Sequence, residues 1–226
     1  MKEVYVIDAI RTPIGKYGGG LSTVRPDDLA AHVIKTLIER NPSIDYNEVE
    51  DVVFGAANQA GEDNRNVARM AGLIAGLPIT VGGVTVNRLC ASGLQAMMDA
   101  SRSIMLGEAG IYIAGGVESM SRAPFVMAKS DTAFNRVPKM YDTTIGWRFI
   151  NDKLSDLHHP FAMGETAENV AELYGVSRTE QEEFALLSHT KAANAEQLGK
   201  FAEEIVPIVH NDVLISKDGC IRTDSM

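Results

Sequence analysis

The sequence predicts an α/β fold: a mixed sheet with helices on both faces, joined to an irregular helical loop unit. Three observations lead there. Up to Ser119, short β-branched runs alternate with stretches of helical period. Successive strands lie roughly 30–40 residues apart, which suits right-handed crossovers. Beyond Ser119 that alternation stops, and residues 120–160 hold no sustained period. Long irregular connections are uncommon inside a compact core and are often functional. The sheet unit is therefore placed at residues 1–119 and the loop unit at 120–226.

Each element has a local cause. Residues 3–10 (EVYVIDAI) read as a buried first strand, ended by Arg11-Thr12-Pro13. Gly18-Gly19-Gly20 lacks the flanking residues of a phosphate loop and reads as a flexible turn. Pro26 with Asp27 and Asp28 opens a helix, since proline and acids both suit a first turn. Leu29, Val33, Leu37 and Ile38 form its apolar stripe, with His32 at the surface or the core edge. Residues 49–57 (VEDVVFGAA) are the second strand. A polar loop follows, and Asn64 or Asn66 caps a helix over 67–75 that Gly76 stops. Residues 84–86 are a strand, after which a helix runs to Leu106 with Gly107 past its end. Residues 111–114 form the fourth strand, closed by Gly115-Gly116. In the loop unit, a helix over 166–174 ends at Gly175. Ser177 with Glu180 makes a capping box for a long helix to Leu198. Residues 205–209 and 213–215 read as a small hairpin, and Asp218-Gly219 as a turn.

Bulk properties narrow the function. The net charge of −9 over 226 residues repels phosphate, so nucleic-acid binding is disfavoured. No stretch approaches about 18 uninterrupted apolar residues, which predicts no membrane span. Met1-Lys2-Glu3-Val4 runs straight into the first strand and leaves no room for a signal peptide. Cys90 and Cys220 sit in unlike contexts, which predicts a reducing, cytoplasmic setting without disulfides. No His, Cys, Asp or Glu cluster has metal-ligand spacing.

The stretch that carries chemistry is residues 84–98, VTVNRLCASGLQAMM. It places Cys90 between a strand and the start of a helix, at the carboxyl edge of the sheet where sites of open α/β folds form. Free backbone N–H groups and the helix dipole favour an anion there, so a thiol would ionise more readily. Ala91, Ser92 and Gly93 let a substrate carbonyl approach the backbone. Two readings stay open on these residues: a nucleophile that forms a thioester, or a structural cysteine in the core. A nucleophile also needs a base and oxyanion donors. The histidines are His32, His158, His159, His189 and His210, and none lies in the tight-turn context of a base. The residues describe half of an active site.

Four motifs carry a resemblance to a known family. VNRLCASGLQA resembles the acylation site of the thiolases, and IAGGVESMSRAPF at 113–125 resembles their next signature. VIDAIRTPIGKYGG at 6–19 is similar to their first strand and turn, and MGETAENVAELYGVSR at 163–178 to their loop-domain helices. The likeness runs over nearly the whole chain. Within the family, QAGEDNRNVARMAG at 59–72 and TTIGWRF at 143–149 are most similar to the 3-oxoadipyl-CoA (β-ketoadipyl-CoA) thiolases of aromatic catabolism. Acetyl-CoA acetyltransferases come next, although Ala162-Met163-Gly164 stands where acetoacetyl-type members carry His-Met-Gly.

The resemblance implies a degradative acyltransferase. It would cleave a 3-oxoacyl-CoA with CoA, giving acetyl-CoA and a shortened acyl-CoA, with Cys90 holding the acyl group. It implies no metal or prosthetic group, CoA and acyl-CoA as substrates, and a homodimer or homotetramer whose Cys-bearing strands meet at the interface. Met163 would line the pantetheine tunnel and Arg222 would lie near the nucleotide. A carboxylate-bearing acyl group would call for a cation such as Arg136, Lys139 or Arg148, which read equally well as surface charges. The family continues into a second half of the same fold. That half holds an Asn-Glu-Ala-Phe turn, a Gly-His-Pro turn whose histidine activates the nucleophile, and a proton-exchanging second cysteine. None of these motifs is in the sequence, and Cys220 lacks the Cys-x-Gly context of that second cysteine. The expectation is thus an amino-terminal part, incomplete at the end of its loop unit and unable to turn over alone. The alternatives are an acetoacetyl-CoA thiolase, a condensing synthase of the same fold, and a non-catalytic acyl-CoA-binding or assembly module.

Overall fold

A computed structural model describes residues 1–222 of the chain. Helix α1 spans Pro26–Arg40, strand β1 Val49–Gly55, helix α2 Val67–Ile74, strand β2 Gly82–Val86, helix α3 Ser92–Leu106 and strand β3 Ile111–Gly116. The short strands β4 (Phe125–Met127) and β5 (Met140–Asp142) follow, then α4 (Asp152–Leu157), α5 (Met163–Tyr174) and α6 (Arg178–Gln197). Strands β6 (Ile208–His210) and β7 (Val213–Ile215) complete the described elements. The chain divides into two compact units. The first joins Met1–Arg122 with Glu203–Gly219, and the second holds Ala123–Ala202 and residues from Cys220 on.

The first unit is a parallel sheet in the order β2-β1-β3, with Val53 of β1 paired to Val84 on one side and Ala114 on the other. Its period of two sends neighbouring side chains of β1 to opposite faces. Val52 and Phe54 pack with Ala30, Ala31 and Ile34 of α1 and with Ala68 and Ala71 of α2. Val53 packs on the other face with Ala96 and Ala100 of α3. Helices therefore cover both faces, as the sequence predicts. Small residues on α2 and α3 permit that close packing. Asn66, not Asn64, caps α2 by accepting the Arg69 N–H at 3.1 Å. Gly107 ends α3 at φ 82°, where its N–H reaches Ile104 O and the next N–H reaches Ser103 O.

Residues 3–10 form no strand, contrary to the sequence reading. Tyr5, Val6 and Ile7 are more than 70% exposed. A cavity of about 770 Å³ separates this segment from the outer edge of β3, so neither gains a ladder of hydrogen bonds. Pairing starts only at Arg11, which bridges Ile205 through Arg11 N–H to Glu204 O and Val206 N–H to Arg11 O. The Arg11 guanidinium also ion-pairs with Glu204 at 2.8 Å and Asp218 at 2.7 Å. Ile208 packs with Leu21, Val24 and Leu29. These contacts carry Glu203–Gly219 into the first unit, so the expected division into 1–119 and 120–226 is cut differently: the loop unit is interrupted by a return to the sheet unit.

The second unit contains the antiparallel pair β4–β5, registered by Val126 opposite Tyr141. Thr143 is buried and donates from Oγ1 to Pro124 O at 2.6 Å. Trp147 Nε1 donates to Phe161 O at 3.1 Å. Helix α6 starts in the expected capping box: Ser177 Oγ accepts the Glu180 N–H, and Glu180 accepts the Ser177 N–H at 2.8 Å. Among the described residues of α5 and α6 only Ala193 is buried. Their apolar side chains Leu173, Phe184 and Leu187 stand at least half exposed.

Candidate active site

The site is built where β2 gives way to α3. Cys90 is exposed in the turn between them, and the helix begins two residues later with Ala91 as its N-cap. The turn is held by its own side chains. Asn87 Oδ1 accepts the Leu89 N–H at 2.9 Å, a local bond by which asparagine shapes a turn. Ser92 is buried; its Oγ accepts the Arg88 N–H at 2.8 Å and donates to Leu89 O at 2.6 Å. These bonds keep Leu89 at φ 49°, in the left-handed region. For a side-chain-bearing residue that conformation costs about 1–2 kcal/mol. The strained residue sits directly before the sulfur, as strained backbone commonly does at working sites.

A glycine allows the turn to seat on the sheet. A Cβ on Gly55, the last residue of β1, would lie 2.4 Å from Ser92 C and 2.5 Å from Gly93 N. The start of α3 thus rests on the end of β1. The ends of all three strands converge beside it: Ala56 N–H donates to Val86 O at 3.1 Å, and Val117 N–H donates to Gly55 O at 3.0 Å.

Met163 and Arg222 fall in the second unit, whereas Cys90 belongs to the first. Met163 is the first residue of α5 and is 69% exposed. Beside it Glu165 accepts the Ala162 N–H at 2.7 Å. The Arg222 backbone N–H donates to His189 Nδ1 of α6 at 3.2 Å. Arg136 and Lys139 are exposed, and Arg148 is half-buried. The histidines have structural neighbours: His32 Nε2 lies 3.0 Å from Pro207 O, and His210 Nε2 lies 2.7 Å from Thr23 Oγ1. Among the described residues no three His, Cys, Asp or Glu side chains group as metal ligands. Asn87 and Gly55 are the site residues that sequence reasoning passed over, and Ser92, read there only as a small residue, braces the turn with its hydroxyl. An asparagine at a strand end is itself a turn signal and offered a way to find the first.

The family model for the thiolase N-terminal domain matches residues 4–226. This chain belongs to the thiolase family. Thiolase relatives agree over nearly its whole length. It is 56% identical to the β-ketoadipyl-CoA thiolase of Pseudomonas knackmussii over 99% of this chain and 57% of that protein. It is 57% identical to the 3-oxoadipyl-CoA/3-oxo-5,6-dehydrosuberyl-CoA thiolase of Escherichia coli over 92% of this chain and 52% of that one. Among solved structures, the Bacillus anthracis acetyl-CoA acetyltransferase superposes with a TM-score of 0.85 at 39% identity, covering 96% of this chain and 54% of the other. The chain spans about half the length of the thiolases it matches.

Proposed function

We propose that this chain carries the nucleophile of a degradative thiolase that acts on 3-oxoadipyl-CoA. The observation that supports this most is the exposed Cys90 in a braced, strained turn at the carboxyl edge of a parallel sheet, directly before α3. The sulfur would attack the C3 carbonyl of the 3-oxoacyl-CoA. A bond forms between Sγ and C3, the C2–C3 bond breaks, and its electron pair leaves on C2, which takes a proton to become acetyl-CoA. The thiol of a second CoA then attacks the thioester carbonyl, releases the shortened acyl-CoA and returns the Cys90 thiol. The base and proton donor that speed these steps are those that the family likeness assigns to its second half, so the chain alone is expected to accept an acyl group at Cys90 slowly and to turn over negligibly.

The reading calls for CoA and acyl-CoA as substrates and for no prosthetic group, with the reaction in the cytoplasm. Met163 and Arg222 are proposed contacts for the pantetheine arm and the nucleotide. A two-fold dimer is proposed through the free edge of β2, near which Val84, Leu89 and Leu94 are 44–71% exposed. The preference for 3-oxoadipyl-CoA over acetoacetyl-CoA rests on the higher identity to relatives that bear the first name. Incubation with acetyl-CoA followed by intact-mass measurement tests the nucleophile. One acetyl group should appear on Cys90, survive in Cys220→Ser and vanish in Cys90→Ser. An unmodified chain, or acetylation that persists without Cys90, would overturn the proposal.

A further inference from the structure

Glu118 closes a chain of hydrogen bonds that ends at the residue before Cys90. Its carboxylate accepts the Ala57 N–H at 2.8 Å and the Asn58 N–H at 3.3 Å. The other side of the same residue is also engaged: Ala57 O accepts from Asn87 Nδ2 at 2.8 Å. The Asn87 amide oxygen then accepts the Leu89 N–H at 2.9 Å. The chain runs from the end of β3, across the end of β1, to the turn after β2. It crosses the strands that the sheet itself joins only up to Gly55, Val86 and Gly116. Both ends of the Asn87 carboxamide are used, so its orientation is set from two directions. A carboxamide free to rotate would release the Leu89 N–H and leave φ 49° to the Ser92 bonds alone, loosening the aim of Cys90.

We infer that Asn87, anchored through Ala57 by Glu118, is a positioning residue that aims the Cys90 sulfur at the acyl carbonyl. The inference rests on the reading of Cys90 as the acyl acceptor. Neither side chain touches the reacting atoms. Their effect is on direction, which acyl transfer requires and simple alkylation by a small reagent does not. Mis-setting a reacting atom by about 1 Å costs a reaction up to about a hundredfold in rate.

The test uses the chain in a Cys220→Ser background, and two rates at Cys90 are followed by mass: acetylation by acetyl-CoA and alkylation by iodoacetamide. Asn87→Ala should slow acetylation about tenfold or more while alkylation stays within about threefold. Glu118→Ala should do the same to a lesser extent, and Glu118→Gln, which retains an acceptor for the Ala57 N–H, should restore most of the rate. The Asn87→Ala/Glu118→Ala double variant should be no slower than Asn87→Ala, because both act through one chain of bonds. Should Asn87→Ala lose its fold, Asn87→Asp takes its place: it keeps the acceptor for Leu89 and lacks the donor to Ala57, so slowing is still expected. Acetylation unchanged in the single variants, equal slowing of both reactions, or multiplied effects in the double variant would sink the inference. A parent chain that is alkylated but never acetylated at Cys90 would overturn the nucleophile reading, and this inference with it. Rapid acetylation that ignores Asn87 and Glu118 would overturn the inference alone.

Discussion

Asp218 shows how one side chain can hold distant parts of the chain together. It accepts from the Arg11 guanidinium and from the Ile14 N–H, and its side chain is only 9% exposed. Hydrogen bonding to Arg11 holds its carboxyl below the usual carboxylate range, against the opposing effect of burial. The folded state therefore keeps the charge to lower pH than the unfolded chain, in which an aspartate titrates near 3.9. The stabilisation is complete above that value and is lost as pH falls through the depressed folded-state pKa. Asp218→Asn should cost about 1–3 kcal/mol at pH 7. Urea unfolding of parent and variant should show that gap at pH 7 and a narrower one near pH 3; a gap of equal size at both would refute the assignment. The place of Cys90 between a strand and a helix was legible at this scale because strand, turn and small residues follow one another in sequence. The Asn87–Ala57–Glu118 chain was not, since its members lie on three separate strand ends that only the folded sheet brings together.

The elements divide in the same manner. Helices α1, α2, α3, α5 and α6 were legible from their caps and stops: Pro26 and its acids, Asn66, Gly107, Gly175 and the Ser177–Glu180 box all act as local chemistry dictates, whereas α4 lies in the stretch read as irregular. The first strand was misread because β-branched composition reports a preference, while a strand also needs an edge to pair with. The amides of residues 3–10 have no ladder, so hydrogen exchange read by mass spectrometry should find them nearly unprotected. Val52–Phe54, with paired neighbours on both sides, should exchange far more slowly. Comparable protection in the two segments would contradict the structure. The junction of β1 with α3 gives a second prediction. Gly55→Ala drives a methyl group into backbone atoms of Ser92 and Gly93, which cannot rotate aside. Overpacking of this kind costs about 1–3 kcal/mol, and acetylation of Cys90 should fall with it. A fully stable, fully reactive Gly55→Ala chain would show that the helix start is not seated there.

At the scale of the molecule, a change of period near Ser119 was visible in the sequence, but the return of Glu203–Gly219 to the first unit was not, because it depends on ion pairs made across about 200 residues of chain. Exposed apolar side chains include Val84 and Leu89 at and just after β2, Leu94 in the first turn of α3, and Leu173, Phe184 and Leu187 on α5 and α6. Surfaces of that character mark association. Leu94→Glu, on the exposed face of α3 beside β2, should shift the proposed dimer toward monomer in sedimentation velocity while leaving the far-UV spectrum intact. An unchanged sedimentation coefficient would remove that face from the interface.

The Arg11 clasp also bears on how the protein is made. Arg11 leaves the ribosome 207 positions before its partner Asp218. At about 5–20 residues per second the wait is roughly 10–40 s. Throughout it, the Arg11 guanidinium lacks the carboxylate that Ile14 also shares, and the start of the chain stays untied.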